Sequence, residues 1–216
     1  MIITIDGPAG AGKSTAARAL AARLGFEFLD TGAMYRSVAL AALRAGIDHR
    51  DQDALTRLLA GLHLEMLPGR VVLNGEDVSS AIRTAETTAA TGVVADSPVV
   101  RRFLAEQQRR LAAGRNMVCE GRDQGTVVFP AAGCKFFLVA DPRERARRRQ
   151  REMAQRGETV ELDPLLQAIA VRDQRDAARG LAPMVAADDA VVLDSTGLGL
   201  DEVVDLMEAE VRRRMT

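Results

Sequence analysis

Apolar and polar positions follow two rhythms along the chain. Ile2-Ile3-Thr4-Ile5 is a short β-branched run that stops at Asp6, the composition of a buried strand. Ala16 to Leu24 then carries alanine and leucine at helical spacing and closes on Gly25, a helix with a glycine stop. Phe26 to Leu29 predicts a second strand ending at Asp30. Asp30-Thr31-Gly32 is a turn able to cap the next helix, which carries Met34, Val38, Leu40, Ala41 and Leu43 and stops near Gly46. Asp51 to Gly61 predicts a further short helix. Strand, helix, strand, helix is the order of a parallel α/β layer.

The rhythm then changes. Leu62 to Leu67 alternates, Pro68-Gly69 turns, Arg70 to Asn74 alternates again, and Gly75-Glu76-Asp77 turns once more. This predicts a small antiparallel hairpin or meander inserted in the parallel chain. Thr84 to Ala95 predicts a helix, and Ser97-Pro98 starts a longer one that ends at Gly114. Asn116 to Glu120 returns as a strand. Cys134 to Ala140 is a continuous apolar run, expected to be buried on both faces. Asp141-Pro142 is an N-cap followed by an N1 proline, and Asp163-Pro164 reads as the same device. Ala190 to Asp194 is the last strand, and Asp201 to Arg214 an amphipathic closing helix. Five core strands result, at about 2–6, 26–29, 116–120, 134–140 and 190–194. The expected fold is a single three-layer α/β domain with a five-stranded parallel sheet, an inserted antiparallel segment around 62–80 and an arginine-rich helical arm from about residue 143.

The turn between the first strand and first helix carries the clearest chemistry. Gly7-Pro8-Ala9-Gly10-Ala11-Gly12-Lys13-Ser14-Thr15 fits G-x-x-x-x-G-K-[ST], with the strand before and helix after that the pattern requires. Glycines let backbone N–H groups wrap a phosphate, and the helix turns the positive end of its dipole to the same anion. Lys13 adds a point charge and the Ser14 hydroxyl suits Mg²⁺. Only Lys13 and Lys135 are lysines among 29 basic residues, so a lysine at this position is informative. The fold expected is therefore of the P-loop NTPase type, and the ligand a nucleoside triphosphate.

Composition narrows the rest. The chain has 216 residues, 47% hydrophobic and 27% charged, with a formal net charge of −1. No bulk basic field argues for nucleic acid or membrane partners. Cys119 and Cys134 lie in apolar strand-like runs and read as buried hydrophobes of a reducing compartment. His49 and His63 lack metal-ligand spacing. The first strand begins at residue 2, which leaves no room for a signal peptide, and no apolar run could span a bilayer. A cytoplasmic protein is expected.

Phosphoryl transfer needs positioning and charge stabilisation more than acid–base groups. Arginines converging from separate elements are its expected signature. Four groups qualify: Arg36, one turn into its helix; Arg122-Asp123 in a glycine-flanked loop at a strand's carboxyl end, where ligands of open α/β sheets bind; Arg143 to Arg151; and Arg172, Asp176 and Arg179, which share a helix face at steps of four and three. Charge runs are also found on solvated helix faces, so the last two groups weigh less than Arg122-Asp123. Glu120 and Asp123 are the candidate acids near Mg²⁺.

Taken in order, Asp6 to Thr15, Asp30-Thr31-Gly32-Ala33-Met34-Tyr35-Arg36, Gly121-Arg122-Asp123-Gln124-Gly125-Thr126-Val127-Val128-Phe129-Pro130, and Arg172 to Asp176 with Ala182-Pro183 behind, the chain resembles the bacterial cytidylate kinases over essentially its whole length. The resemblance implies a nucleoside monophosphate kinase that moves phosphate from ATP to CMP or dCMP with Mg²⁺. By match to the family, residues 7–15 hold the donor phosphates and Ser14 the metal, with Glu120 reaching it through a water. Lys13, Arg122, Arg147 and Arg148 are the implied catalytic set. Arg36 and Arg122 hold the acceptor phosphate, Thr31 and Tyr35 line the acceptor pocket, Arg101 and Asp123 read cytosine, and Arg172, Asp176 and Arg179 reach ribose and phosphates. The core is expected at about 1–38, 98–142 and 162–216, the monophosphate-binding part at 39–97 and a lid at 143–161. A monomer is expected.

Two positions depart from the family pattern. Gly92 replaces a common serine whose hydroxyl helps contact the base, and Glu120 stands where aspartate is common. Other readings are a P-loop kinase for AMP, UMP or shikimate, against which the Gly121-to-Pro130 stretch argues, and a nucleotide-dependent switch. An RNA-binding protein is a third, disfavoured by one tyrosine, six phenylalanines and the absence of net positive charge.

Overall fold

The computed structural model describes residues 1–155 and 157–215. Its contacts gather into two units, one of Met1–Phe28 with the chain from Gly114 onward, the other of Leu29–Ala113. In the larger unit, β1 (Ile2–Asp6) is the middle of a five-stranded sheet. Its neighbours are β6 (Met117–Glu120) on one side and β7 (Cys134–Val139) on the other, both parallel. The edges are β2 (Glu27–Asp30), within which the boundary between the units falls, and β8 (Val191–Asp194). The order β2-β6-β1-β7-β8 brings together strands more than a hundred residues apart.

A strand flanked on both sides must be apolar on both faces. Ile3, Ile5, Val118, Phe136 and Leu138 are all buried accordingly. On β7, Phe137 and Val139 are only half-buried. Helices α1 (Lys13–Leu24) and α8 (Leu200–Met215) close the same core through Ala16, Leu20, Val204, Met207 and Val211. Cys119 and Cys134 are buried free thiols, and burial pushes them up to about 12 and 11. They are inert packing groups.

Two further helices complete this unit. Helix α6 (Pro142–Ala154) starts as expected, with Asp141 accepting from the backbone N–H of Arg143 and Glu144 and Pro142 in its first turn. Helix α7 (Leu162–Ala178) does not repeat that device. It begins before Asp163, with Glu161 at its N-cap and no side-chain cap bond. Pro164 is accommodated because first-turn N–H groups lack intrahelical acceptors in any case. Among the described residues no helix is long and apolar enough to cross a membrane.

The smaller unit contains α2 (Thr31–Arg44), α3 (Gln52–Ala60), α4 (Ala85–Val94) and α5 (Pro98–Ala112). The inserted segment is a three-stranded antiparallel meander of β3 (Leu64–Leu67), β4 (Arg70–Leu73) and β5 (Glu76–Asp77). Here one expectation is corrected. Glu76-Asp77 is a strand, pairing with Leu73 and Val72, and the turn is Asn74-Gly75, whose φ values of 49° and 84° put both residues in the left-handed region. Asn-Gly is the pair that a two-residue turn matched to strand twist selects.

Candidate active site

The turn from β1 into α1 is fixed by close backbone contact. A Cβ on Gly7 would lie 2.1 Å from the Leu138 carbonyl oxygen, and one on Gly10 would lie 3.1 Å from Cβ of Arg145. Both glycines have positive φ, so no other residue fits without moving β7 or α6. Gly12 is the N-cap of α1 and no side chain caps that helix. Its first turn therefore faces the loop with polar N–H groups and a positive dipole end.

Lys13 is buried, and its Nζ donates to the Pro8 carbonyl at 2.7 Å. Burial pulls its pKa down to about 7; the nearby Arg122 and Arg172 lower it too, against the opposing pull of Glu120 and Asp6. A desolvated ammonium in a cationic field is a site where an anion restores the missing stabilisation. Next to it, the Ser14 hydroxyl donates to Glu120 Oε1 at 2.8 Å. A hydroxyl and a carboxylate side by side are oxygen donors of the kind Mg²⁺ takes.

The loop after β6 carries Arg122 and Asp123. Arg122 Nε donates to Asp176 Oδ2 at 3.0 Å and its Nη1 to the Gly121 carbonyl at 3.0 Å. Arg179 Nη2 donates to the other Asp176 oxygen at 2.8 Å. Asp176 is thus a buried hub holding two guanidiniums. Arg179 is not on the helix face expected for it: α7 ends at Ala178, Arg179 is extended, and its side chain turns back to Asp176. Asp123 is buried at the start of a single π-helical turn, Gln124–Val128. That turn is seated on Asp6, whose two carboxylate oxygens accept from Gln124 N at 2.9 Å and Gly125 N at 2.7 Å.

Helix α6 divides its arginines. Arg145 is buried and donates to the carbonyls of Ala140 and Ala9, both at 3.0 Å, and to Asp173 on α7. Arg148 reaches the Ser195 hydroxyl at 3.0 Å, the Ser195 carbonyl at 2.7 Å and the Ala11 carbonyl at 3.4 Å. Arg147 is 55% exposed and lies 4.0 Å from Glu144. The structure therefore brings Arg148 to the phosphate-binding loop and leaves Arg147 on the outer face. A cavity of about 540 Å³ opens beside the loop, lined by Gly12, Thr15, Arg148, Ser195, Leu198 and Val203 among others.

In the smaller unit Asp30 caps α2, accepting from Ala33 N at 2.7 Å, and also holds Arg36 Nη2 at 3.2 and 3.3 Å. A Cβ on Gly32 would sit 3.1 Å from Arg36 Nη1. Thr31 is buried at the start of α2. Arg101 is buried on α5, donates to the Ala95 carbonyl at 2.9 Å, and places its guanidinium carbon 5.7 Å from the Tyr35 ring centroid, a cation–π distance.

A family model described as "Cytidylate kinase" matches residues 3–213. The chain belongs to the cytidylate kinase family. It is 49% identical to the cytidylate kinase of Geobacter sulfurreducens over 218 residues, covering 99% of this chain and 94% of the relative. It is 49% identical to that of Vibrio cholerae, covering 94% and 92%. Among solved structures, a shikimate kinase from Bacteroides thetaiotaomicron has a TM-score of 0.51 at 15% identity with 98% of both chains covered, a likeness of fold alone. Membership makes this chain a nucleoside monophosphate kinase with ATP as phosphoryl donor and CMP as acceptor.

Three residues of this arrangement were not singled out in the sequence. Asp6 was legible as the end of a strand, and its grip on Gln124 and Gly125 was not, since it joins positions 118 and 119 apart. Arg145 lies one turn before Arg148 and donates to the Ala9 carbonyl of the loop. Ser195 follows the last strand at the sheet's carboxyl edge, the place where ligands of such sheets bind. That position was its only signal.

Proposed function

We propose that the protein transfers the γ-phosphoryl group of ATP directly and in line to the 5′-phosphate of CMP or dCMP, giving CDP or dCDP, with Mg²⁺ bound by Ser14 and, through water, by Glu120. The observation that carries this reading is the buried Lys13, 2.7 Å from the Pro8 carbonyl, beside the Ser14–Glu120 pair at 2.8 Å. Bound there, Mg²⁺ supplies charge neutralisation to the donor phosphates. The residues Gly7 to Thr15 wrap the donor phosphates with N–H groups. Lys13 regains its stabilisation from them. Arg148, fixed on Ala11 and Ser195, stands on the donor side with Arg147 on the outer face of the same helix, and the arm 143–161 is assigned as the lid.

Arg122 and, from the smaller unit, Arg36 are assigned to the acceptor phosphate. Each is already aimed by a carboxylate, Asp176 or Asp30. Pre-aimed guanidiniums suit planar bidentate recognition of phosphate. Arg101 and Asp123 are assigned to cytosine, Thr31 and Tyr35 to the pocket wall, and Arg172, Asp176 and Arg179 to ribose and phosphates. The segments 1–38, 98–142 and 162–216 act as core and 39–97 as the monophosphate-binding part. We place the enzyme in the cytoplasm as a monomer, serving pyrimidine nucleotide metabolism. The test is ADP release from MgATP with CMP, dCMP, UMP, AMP or no acceptor. Release with CMP and dCMP is expected. Equal release with UMP overturns the base-reading assignments of Arg101 and Asp123, and dependence on none of the acceptors overturns the whole reading.

A further inference from the structure

The segment that carries Arg122 and Asp123 must be held rigidly if these side chains are to meet a phosphate in one geometry. Within the segment Val127 N and Val128 N donate to the Asp123 carbonyl and Phe129 N to the Gln124 carbonyl, bonds that close the turn on itself without tying it to the sheet. Gln124 Oε1 and Thr126 Oγ1 are buried without hydrogen-bond partners. Its backbone is instead clasped by the end of β1: Gly121 N donates to the Ile5 carbonyl at 3.1 Å, and Gln124 N and Gly125 N donate to the two oxygens of Asp6. The clasp brackets Arg122-Asp123 from both sides. We propose that Asp6 is a positioning residue for the acceptor phosphate, acting through the backbone of Gln124 and Gly125 on Arg122.

Several observations converge on this assignment. Asp6 is 4% exposed, so its carboxylate has no solvent role. Gly125 has no room for a side chain: a Cβ there would lie 2.9 Å from Thr4 Oγ1 and 3.4 Å from Asp6 Oδ2. The same close seat of Gly125 on β1 brings its N–H within 2.7 Å of Asp6 Oδ2. Burial pushes the Asp6 carboxyl up to about 6, against the pull of the Gly125 and Gln124 N–H groups; of the nearby charges, Asp123 raises it and Lys13 lowers it. At neutral pH it is an anion with two acceptors, matched to two donors. Asp6 also precedes Gly7 directly, so one residue ties the donor loop to the acceptor loop.

The inference rests on the assignment of Arg122 to the acceptor phosphate, and a double-mutant cycle separates the two. Asp6→Asn keeps the shape but turns an NH₂ group towards one of the two N–H donors. A charge-assisted hydrogen bond is lost, so KM for CMP is expected to rise about tenfold or more while KM for ATP stays within about twofold. The double variant Asp6→Asn/Arg122→Ala is expected to be no worse than Arg122→Ala alone by more than about twofold, because both act through one group. Hydrogen exchange of the peptide spanning 121–128 is expected to quicken in Asp6→Asn. Multiplicative losses, or an equal rise in KM for ATP, overturn the role given to Asp6. Wild-type kinetics in Arg122→Ala overturn the Arg122 assignment and the inference with it. Should Asp6→Asn fail to fold, Gly125→Ala probes the same clasp: the same split between the two KM values is expected, with partial rescue by Thr4→Ala, which removes the atom nearest the new methyl. Loss confined to ATP in Gly125→Ala overturns the proposal.

Discussion

In the larger unit Asp6, Lys13, Glu120, Asp123, Lys135, Arg145 and Asp176 are all buried, whereas among the described residues of the smaller unit Arg101 is the buried charge. Of the smaller unit's ion pairs, Arg44–Glu76 and Arg70–Asp77 are exposed and contribute little to stability. Buried charge is costly unless it is paired or meets a ligand. In the larger unit Asp6, Lys13, Glu120 and Asp123 gather at or just beyond the carboxyl ends of β1 and β6. The smaller unit is an ordinary apolar layer with a few polar anchors, Asp30 with Arg36 and Arg101 over Tyr35. Removing a buried charge that awaits a ligand should therefore raise stability while lowering activity, whereas removing one partner of a buried pair should lower both.

The sharpest test of that contrast is Lys13→Met. Turnover is expected to fall by at least about 10²–10³, the cost of losing a preorganised charge-stabilising donor. The melting temperature without nucleotide is expected to rise, because an uncompensated buried cation is gone. The pH dependence has a definite sign. The folded-state pKa of Lys13, about 7, lies below the ordinary 10.5, so its charge disfavours folding fully below about pH 7 and the penalty disappears as pH rises through 10.5. Thermal melts from pH 7 to 10.5 should show the advantage of the variant shrinking to nothing. A lower melting temperature at pH 7 would break the comparison.

Asp176→Asn removes the hub from Arg122 and Arg179. Breaking a buried pair by removing one partner costs about 3–5 kcal/mol. Here both effects are expected to be negative: kcat/KM for CMP down by about 10–100-fold as Arg122 loses its aim, and a lower melting temperature, with KM for ATP little changed. Steady-state kinetics with each substrate varied in turn would check the split.

Asp30 tests the smaller unit. Asp30→Ala loses both the cap of α2 and the partner of Arg36. The cap contributes about 1 kcal/mol, or about 2–4 °C in a chain of this size. Asn caps as well as Asp, so Asp30→Asn is expected to spare the melting temperature while weakening the hold on Arg36. Both variants should raise KM for CMP several-fold. A loss of stability in Asp30→Asn equal to that in Asp30→Ala would show the ion pair, not the cap, to be the stabilising contact.

How much of this was legible depends on whether the signal was local. The strand at 2–6, the loop to Thr15, the cap at Asp30 and the N1 proline at 142 are written within a few residues, and each appears where expected. The strand order is not local, yet the run of buried strands separated by helices was enough to give the parallel sheet. What escaped was long-range or depended on competing caps. Asp163-Pro164 matched a helix start, but the helix begins at Leu162, after Glu161, which periodicity cannot distinguish. Arginines 145, 147 and 148 look alike in sequence, and only packing decides which donates to Ala9, which to Ser195 and which lies in solvent.

Gln108 offers the smallest test, and one confined to the smaller unit. It lies on α5, is fully buried, and neither end of its amide has a hydrogen-bond partner. A buried unpaired polar group costs about 1–3 kcal/mol, and a side chain of similar volume without polar atoms removes that cost. Gln108→Met keeps an unbranched chain with rotamers suited to a helix. The variant is expected to melt higher by at least about 2–4 °C, with kcat and both KM values unchanged. Arg101, two turns earlier on the same helix, keeps its own bond to the Ala95 carbonyl, so stabilising α5 should not disturb it. A rise in melting temperature accompanied by loss of cytidine selectivity would mean that α5 must remain soft for Arg101 to work, and that stability and activity oppose one another in this unit as well.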